Sequence, residues 1–249
     1  GTSSIANYQS MLRAVTFENS SSDNPTASSA SRSITFSATD SNTKGAANLN
    51  QTGSAAISIT IAAVNDRPVI DAVLGGAIKT INEDSTAQIS FTELAAQITA
   101  SDVDGSITSY SITAVPNGTV RIGTSLATST AWHASNNHII DASKLLFWTP
   151  AQDQNGSFEA FTVRARDNGG AVSSTTTTLE IEVNAINDAP IFSGDQPTLT
   201  TISEDPITVT GERISDLVAA NFSDAADQVV GGSSANTLAG IAVLGYSEN

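Results

Sequence analysis

A four-residue phrase that occurs twice is the feature that most constrains this chain. Residues 65–68 read Asn-Asp-Arg-Pro and residues 187–190 read Asn-Asp-Ala-Pro, so the two copies start 122 residues apart. Asp102 and Asp224 keep the same separation further along the chain. Similarity at one long period indicates a tandem array of a single domain type. The sequence therefore predicts repeated units that join at the two phrases.

The proline of each phrase sets the character of the linker. Proline has no backbone N–H and pushes the residue before it towards extended geometry, so each linker should be short and stiff. The two linkers divide the chain into three parts. We predict a complete unit over residues 67–188, the C-terminal half of a unit over residues 1–66, and the N-terminal half of a further unit over residues 189–249.

Most of the chain shows the alternation of apolar and polar residues that is typical of β-strands. Each alternating segment offers one face to a core and the other to water. Several short strands within one unit predict an all-β fold, built from tandem Greek-key β-sandwich domains of the immunoglobulin-like kind. The clearest segments are residues 33–39, 56–61, 111–115, 119–122, 161–165 and 179–183.

Local signals predict one tight turn and two short helices. Pro116-Asn117-Gly118 separates two of these strands and predicts a β-hairpin, because Asn-Gly tolerates the positive φ angles of a tight turn. Residues 91–97 and, more loosely, residues 212–218 are the only segments with a helical pattern. Trp148 follows an apolar run and is expected in the core.

The acidic composition narrows the class of partner. The chain has 25 acidic and 10 basic residues, a formal net charge of −15, and no Cys. Nucleic-acid binding requires clustered Lys and Arg and is excluded. No stretch approaches the roughly 20 apolar residues of a membrane span, so membrane insertion is not expected. Clustered carboxylates repel one another. Either bound divalent cations relieve this repulsion, or the acidic surface only confers solubility.

Five acidic motifs follow one another in the central unit. They are Glu83, Asp102-Val103-Asp104, Asp153-Gln154-Asn155, Ala165-Arg166-Asp167 and Asn187-Asp188-Ala189-Pro190. Their order resembles that of cadherin-like tandem repeats, in particular those of large bacterial surface adhesins of the RTX type. The resemblance covers the whole chain. It implies cadherin-like β-sandwich units, an extracellular location on the bacterial cell surface, and Ca²⁺ held between neighbouring repeats of the same protein.

The resemblance also implies one set of calcium ligands for each junction. Ca²⁺ binds six to eight oxygen atoms, which two neighbouring domains can supply together. Asp224 and Asp227 are one residue further apart than Asp102 and Asp104, which departs from the pattern. Asp84 is interpreted as surface charge. The first set is Asp23, Asn65, Asp66, Asp102, Asp104 and Asp167; the second is Glu83, Asp153, Asn187, Asp188, Asp224 and Asp227.

Nothing in the sequence indicates catalysis, and we expect no enzyme. The two histidines, His133 and His138, lie in a polar stretch, and no Gly-x-Ser-x-Gly motif is found. The expected function is structural: an extender segment of an adhesin, in which calcium makes a rod of tandem units rigid. Two alternatives stay open. The stretch from Trp132 to His138 could bind a glycan or a peptide. The half units could complete one another between copies by strand exchange and form a head-to-tail filament.

Overall fold

The computed structural model describes residues 4–18, 24–39, 52–194, 197–205, 208, 211–229, 233–242 and 244–245. Asp23 falls outside these residues, and its role as a ligand stays a prediction. Within the described ranges, no helix is long and apolar enough to cross a membrane.

The described part of the chain is made mainly of short strands. The elements are α1 (Ile5–Arg13), β1 (Ser31–Thr39), β2 (Thr52–Thr60), β3 (Val69–Val73), β4 (Lys79–Asn82), β5 (Ala87–Ser90), α2 (Phe91–Gln97), β6 (Ile98–Ser101), β7 (Ile107–Ala114), β8 (Thr119–Gly123), β9 (Thr130–Ala131), β10 (Ile139–Asp141), β11 (Leu145–Thr149), β12 (Gly156–Asp167), β13 (Thr177–Asn184), β14 (Ile191–Phe192), α3 (Ile214–Val218), β15 (Phe222–Ser223) and a 3₁₀ turn (Ala225–Asp227).

Two sheets in the central part of the chain share one hydrophobic core. The first has the strand order β10-β7-β12-β13-β4, and the second has the order β5-β11-β8-β9. Alternate residues of β12, namely Phe161, Val163 and Ala165, are fully buried, and they pack in one cluster with Ile89 and Trp148 of the second sheet. This arrangement confirms the all-β sandwich and the core position of Trp148. Neighbouring strands are antiparallel except β4, which pairs with β13 in parallel.

The turn at Pro116-Asn117-Gly118 exists, but the predicted hairpin is wrong. β7 and β8 belong to different sheets, so the turn carries the chain across the sandwich. The indole N–H of Trp148 donates to the Asn117 carbonyl at 2.8 Å. A Cβ atom on Gly118, whose φ is +68°, would lie 2.8 Å from the Trp148 ring. The Asn-Gly pair therefore admits a buried tryptophan and does not close two adjacent strands.

The helices were predicted in part. α2 forms where expected, because Ser90 and Glu93 make a reciprocal capping box at its start. α3 lies within the more loosely predicted segment. α1 was missed, although Ser4 caps it by accepting from the Asn7 N–H at 3.2 Å. Its apolar residues line an open groove beside β1 and do not contribute to the sandwich core.

The backbone pairing repeats at the period that the sequence indicates. Val69 pairs with Ser101 in β3 and β6, and Ile191 pairs with Ser223 in β14 and β15, so both positions move by 122 residues. β1 and β2 likewise pair as β12 and β13 do: Ile34 lies opposite Ile57 where Phe161 lies opposite Leu179. The local structure thus carries the same repeat as the acidic motifs. The unit boundaries stay a prediction.

Candidate metal centres at the two junctions

The first junction, defined as Asn65, Asp66, Asp102, Asp104 and Asp167, is connected by hydrogen bonds. The Asn65 side chain donates to Asp167 Oδ2 at 2.8 Å. The Asp66 N–H lies 3.3 Å from both carboxylate oxygens of Asp104. The Asp104 N–H donates to Asp102 Oδ1 at 3.2 Å. The structure therefore brings together the five described residues that were predicted to act here.

Close backbone approach allows the linker to reach Asp167. Asn65 lies over the turn that follows β12, and a Cβ atom on Gly169 would lie only 2.0 Å from Asn65 Oδ1. Only glycine leaves room for the amide at this point. Asn24 contacts the same junction, since its side chain donates to the Val103 carbonyl at 3.1 Å. The segment next to Asp23 thus lies close to the predicted ligands.

Asp167 is a buried carboxylate that anchors the linker. Burial alone would raise the pKa of Asp167, but hydrogen bonds from the Asn65 side chain and from the backbone N–H groups of residues 169–171 outweigh it and lower the pKa. The Ala171 N–H donates to Oδ1 at 2.8 Å, and Asn65 occupies Oδ2. Both oxygens therefore already accept hydrogen bonds that fix the linker and the turn.

Asp102 differs from Asp167 because one of its carboxylate oxygens accepts no hydrogen bond from the described residues. Its Oδ2 is buried and has no hydrogen-bond partner among the described residues. A buried carboxylate oxygen without a partner is unfavourable, because it has lost its hydration. An open cavity of about 440 Å³ lies between the linker at Asp66 and the loop at Asp102. A cation or a water molecule at this place would satisfy Asp102.

Among the described residues, three carboxylates lie close together at the second junction. Asp84, Asp153 and Asp188 each offer one oxygen, and these three oxygens lie within 4.8 Å of one another. Asp84 and Asp153 both adopt left-handed backbone geometry, with φ of 57° and 55°, which Asp tolerates better than most residues. The Asp153 N–H donates to Asp84 Oδ1 at 3.2 Å. Two tight turns therefore point two acidic residues at the linker.

Asp188 shows that this group lacks a positive partner within the described part of the chain. Its Oδ2 is buried and makes no hydrogen bond there. Loss of hydration raises the pKa of Asp188, and the negative charges of Asp153, Asp227, Asp84 and Glu83 raise it further. The ionised form of Asp188 is therefore unfavourable in this group. A bound cation would favour the ionised form, because its positive charge would reverse the sign of the local potential.

Asp84 is the ligand candidate that the sequence interpretation missed. It is exposed and was interpreted as surface charge, yet it belongs to the group of three oxygens at Asp153 and Asp188. Its position directly after Glu83, in a turn that ends at Ser85, was the available signal. The left-handed conformation that turns its carboxylate towards Asp153 could not be read from residue types alone.

Glu83 lies at the second junction, where its carboxylate accepts hydrogen bonds from the linker and from Asn155; its role as a metal ligand stays a prediction. It is 5% exposed, its Oε1 accepts from the Ile186 N–H, and its Oε2 accepts from the Asn155 side chain at 3.2 Å. Both oxygens are thus engaged, one by the linker. Asn155, which was not proposed as a site residue, also donates to Ser233 Oγ at 2.9 Å and accepts from the Ser233 N–H at 2.9 Å. It connects the sandwich to the segment beyond the linker.

Asp227 occupies the place that Asp104 has at the first junction. The Asp188 N–H donates to Asp227 Oδ1 at 2.8 Å, as the Asp66 N–H does towards Asp104. The extra residue before Asp227 is absorbed by the 3₁₀ turn. Asn236 completes this side: its backbone N–H donates to Asp224 Oδ2 at 2.6 Å, and its side chain donates to Asp227 Oδ2 at 2.7 Å. The same amide donates to Asn187 Oδ1 at 2.9 Å.

The loop around Trp132 packs against the sandwich and is closed by its own backbone. The Trp132 ring is half-buried against the core, and its N–H points to the Ile112 carbonyl at 3.3 Å. His133 and Asn137 form a backbone bridge that closes the loop. The indole therefore serves packing, and these contacts give the glycan or peptide hypothesis no support.

No protein-family model matches this chain, and no match was found among curated proteins. The resemblance to cadherin-like adhesin repeats therefore rests on the sequence motifs alone.

Proposed function

We propose that this chain is a structural extender of a bacterial surface adhesin, in which Ca²⁺ at each junction makes tandem β-sandwich units rigid. The observation that carries the proposal is the group formed by Asp84, Asp153 and Asp188. Three carboxylate oxygens lie within 4.8 Å, and the buried Oδ2 of Asp188 has no hydrogen-bond partner among the described residues. Like charges at this distance repel one another, and a bound cation would offset this repulsion.

The donor set supports calcium over other metals. The oxygens come from carboxylates, with the amide of Asn187 nearby, and the chain has no Cys. Hard, oxygen-only sites suit Ca²⁺ or Mg²⁺, whereas Zn²⁺ prefers nitrogen and sulfur. Asp84 is exposed and Asp153 and Asp188 are half-buried, so water can complete the coordination shell. Irregular mixed shells of this kind favour Ca²⁺, because Mg²⁺ requires near-ideal octahedral geometry.

The contacts around the linker explain how a bound ion would stiffen the array. Glu83 holds the linker through the Ile186 N–H, and Asp227 holds it through the Asp188 N–H. The linker is therefore attached to elements on both sides of the acidic group. An ion that neutralises the group would remove the repulsion that otherwise loosens both attachments. Adhesion and the extracellular location rest on the resemblance to adhesin repeats.

Calorimetric titration with Ca²⁺, together with thermal melts in calcium and in chelator, tests this function. We expect saturable binding and a rise in melting temperature that Mg²⁺ at the same concentration does not reproduce. The double variant Asp84→Asn/Asp153→Asn should abolish binding at the second junction. Glu159→Gln, which removes an exposed carboxylate of β12, is the matched control and should leave both results unchanged. Equal binding by the two variants would refute the proposed site.

A further inference from the structure

The charged side chains on the outward side of the five-stranded sheet are sorted by sign along its strands. This side, here called the outer face, consists of the residues of β10, β7, β12, β13 and β4 that point away from the core. Every residue from 67 to 188 is described. Alternate residues of β12 are buried in the core, so their neighbours point outward. The outward residues of its second half are Thr162, Arg164 and Arg166.

The end of the outer face near the first junction is cationic. Arg164 lies opposite Ser111 of β7, and Arg166 lies opposite Ser109. Neither guanidinium forms an ion pair with a described residue. The Arg166 Nε donates to the Gly170 carbonyl at 3.3 Å, whereas the Arg164 Nε is buried and has no hydrogen-bond partner among the described residues. No described carboxylate therefore lies in contact with either positive charge.

One carboxylate lies at this end of the outer face, but its own loop engages it. Asp141 of β10 lies opposite Ser109, two strands and about 10 Å away from Arg166. Its Oδ1 accepts from the Ser143 N–H at 2.8 Å and from the Ser143 hydroxyl at 2.6 Å. The hydrogen bond from the hydroxyl is the main reason why the pKa of Asp141 is lowered, and the charge of Lys144 contributes. Asp141 is thus stabilised without either arginine.

The other end of the outer face, near the second junction, is anionic. Glu159 of β12 lies directly opposite Glu180 of β13, and a bulge between Glu159 and Phe161 keeps Glu159 on the outward side. Glu182 is the next outward residue of β13. Like charges directly opposite one another on a sheet are destabilising. No described basic residue forms an ion pair with these three glutamates, so this end also lacks opposite charges.

The two charged ends are placed symmetrically about a pair of threonines. Thr162 lies opposite Thr178, and their hydroxyl oxygens are 2.9 Å apart. Arg164 follows Thr162 by two residues towards the first junction, and Glu180 follows Thr178 by two residues towards the second, because the strands are antiparallel. At about 3.3 Å per residue, both charges lie roughly 7 Å from the pair. The next charged residues, roughly 13 Å from the pair on opposite sides, are Arg166 and Glu182.

A face with this order of charges is complementary to itself. Suppose that a second copy lies on it with its strands running in the opposite direction, related by a two-fold axis over the threonine pair. The cationic end of each copy then lies over the anionic end of the other. With strands running in the same direction, like charges would meet. The antiparallel contact therefore satisfies both ends of both copies at once.

We propose that the outer face is a lateral contact between two antiparallel copies of this chain, with the two-fold axis over the Thr162–Thr178 pair. The guanidinium groups at the cationic end of each copy pair with the glutamates at the anionic end of the other. A guanidinium suits this role because it donates two parallel hydrogen bonds to one carboxylate. The contact uses none of the proposed calcium ligands and is independent of the function proposed above. In this register Arg164 meets Glu159 and Glu180, and Arg166 meets Glu182.

The area of the outer face sets the strength of this contact. Five strands span about 20 Å across the sheet, and the 8 residues of β13 span about 26 Å along it. The face therefore covers roughly 500 Å² per copy, which is less than the ~800 Å² per partner of a typical stable complex. We expect a weak dimer that forms at high protein concentration. Salt should weaken it further, because exposed charges are screened.

Charge reversal, followed by sedimentation equilibrium in chelator at low salt, tests the pairing. The weight-average mass of the unsubstituted chain should rise above the monomer mass of 25.5 kDa as the concentration approaches about 1 mM. Arg164→Glu/Arg166→Glu makes both ends of the face negative, and Glu159→Arg/Glu180→Arg makes both ends positive. Each variant alone should associate at least about tenfold more weakly. An equimolar mixture of the two should recover the association, because opposite charges then meet at every contact.

The mixture is also the matched control for folding and net charge, since it contains the same two variants. The chain that carries all four substitutions should associate like the unsubstituted chain. A loss caused by the arginine variant but not by the glutamate variant would mean that the arginines pair with another surface, which refutes the register. A chain that stays monomeric up to about 1 mM, a mixture that stays monomeric, or a dimer of the unsubstituted chain that salt does not weaken would each overturn the proposal.

Discussion

Asn155→Ala should destabilise the central sandwich through a side chain that the sequence did not predict as a site residue. The Asn155 side chain is 5% exposed and donates to Glu83 Oε2 at 3.2 Å. It also exchanges two hydrogen bonds of 2.9 Å with Ser233. Truncation removes all three bonds and leaves a buried carboxylate oxygen of Glu83 without its donor. Glu83 is the residue that holds the linker at Ile186.

The size of the effect follows from burial. A buried polar group that loses its only partner costs about 1–3 kcal/mol, and a partly exposed hydrogen bond contributes about 0.5–1.5 kcal/mol. Glu83 belongs to the first class, and the bonds to Ser233 belong to the second. Part of the second contribution is recovered because water can reach Ser233. We therefore expect the free energy of unfolding to fall by about 2–4 kcal/mol.

Urea unfolding followed by tryptophan fluorescence is the suitable assay, because Trp148 lies in the sandwich core and Trp132 packs against it. The measurement is made in chelator, so that metal binding does not contribute. With an m-value of about 1–3 kcal/mol/M, the midpoint should fall by roughly 1–2 M. Asn117→Ala is the matched control, since Asn117 also precedes a glycine but makes one exposed bond, to the Glu159 carbonyl at 3.0 Å. That change should cost about 0.5–1 kcal/mol.

The comparison of the two alanine variants decides whether Glu83 depends on Asn155. A loss for Asn155→Ala that matches the loss for Asn117→Ala would refute the reasoning, because it would mean that solvent or another donor satisfies Glu83. A larger loss that disappears when Glu83→Gln is already present would support it. Residues in direct contact show such coupling, typically about 0.5–3 kcal/mol.

Three further predictions concern the turn and the junctions. Gly118→Ala should destabilise the sandwich by about 1–3 kcal/mol in urea unfolding, because the new Cβ atom would lie 2.5 Å from the Thr149 carbonyl oxygen. Gly76→Ala is the control: Gly76 also has a positive φ, +92°, but lies in open space, so the free energy of unfolding should fall by only about 1 kcal/mol. The pKa of Asp188 is raised above its ordinary value of 3.8, so the folded chain binds more protons than the unfolded chain, and its stability in chelator falls as the pH rises through the folded pKa. Asp188→Asn should therefore raise the melting temperature in chelator at about pH 7. An unchanged melting temperature at that pH would contradict the shift. The pKa of Asp167 is lowered below its ordinary value of 3.8, and the stability that the ionised carboxylate contributes is lost as the pH falls through the folded pKa. Asn65→Ala should raise this pKa in a carboxyl NMR titration and move acid unfolding to higher pH. An unchanged pKa would show that the hydrogen bond from Asn65 does not lower it.

The sequence was most informative where a residue pattern has only one structural solution. The alternation in residues 161–165 predicted a strand, and β12 buries Phe161, Val163 and Ala165 on one face. The repeated Asn-Asp-x-Pro phrase predicted equivalent junctions, and the Asp66 and Asp188 N–H groups do point at equivalent carboxylates. The alternation of apolar residues and the spacing of repeated motifs predict these features because both follow from the regular geometry of the backbone.

The sequence failed where the outcome depends on tertiary packing. Asn117-Gly118 has the composition of a hairpin turn, but the turn crosses between sheets because Trp148 fills the space beside it. Asp84 follows Glu83 directly, yet the buried residue holds the linker and the exposed one joins the carboxylate group. The left-handed φ of Asp84 turns its carboxylate towards Asp153, and Asp adopts that conformation only when its surroundings select it.

The two junctions suggest a division of roles among carboxylates that their residue types conceal. Glu83 and Asp167 are buried, and each has both oxygens engaged by donors that fix a linker. Asp102 and Asp188 each keep a buried oxygen that no described residue satisfies. Glu83 and Asp167 therefore hold a linker through their donors, whereas Asp102 and Asp188 each keep an oxygen that a water molecule or a cation could satisfy. Under the function proposed above, the linker would stay attached through these hydrogen bonds when calcium is absent and would become rigid when calcium neutralises the carboxylates.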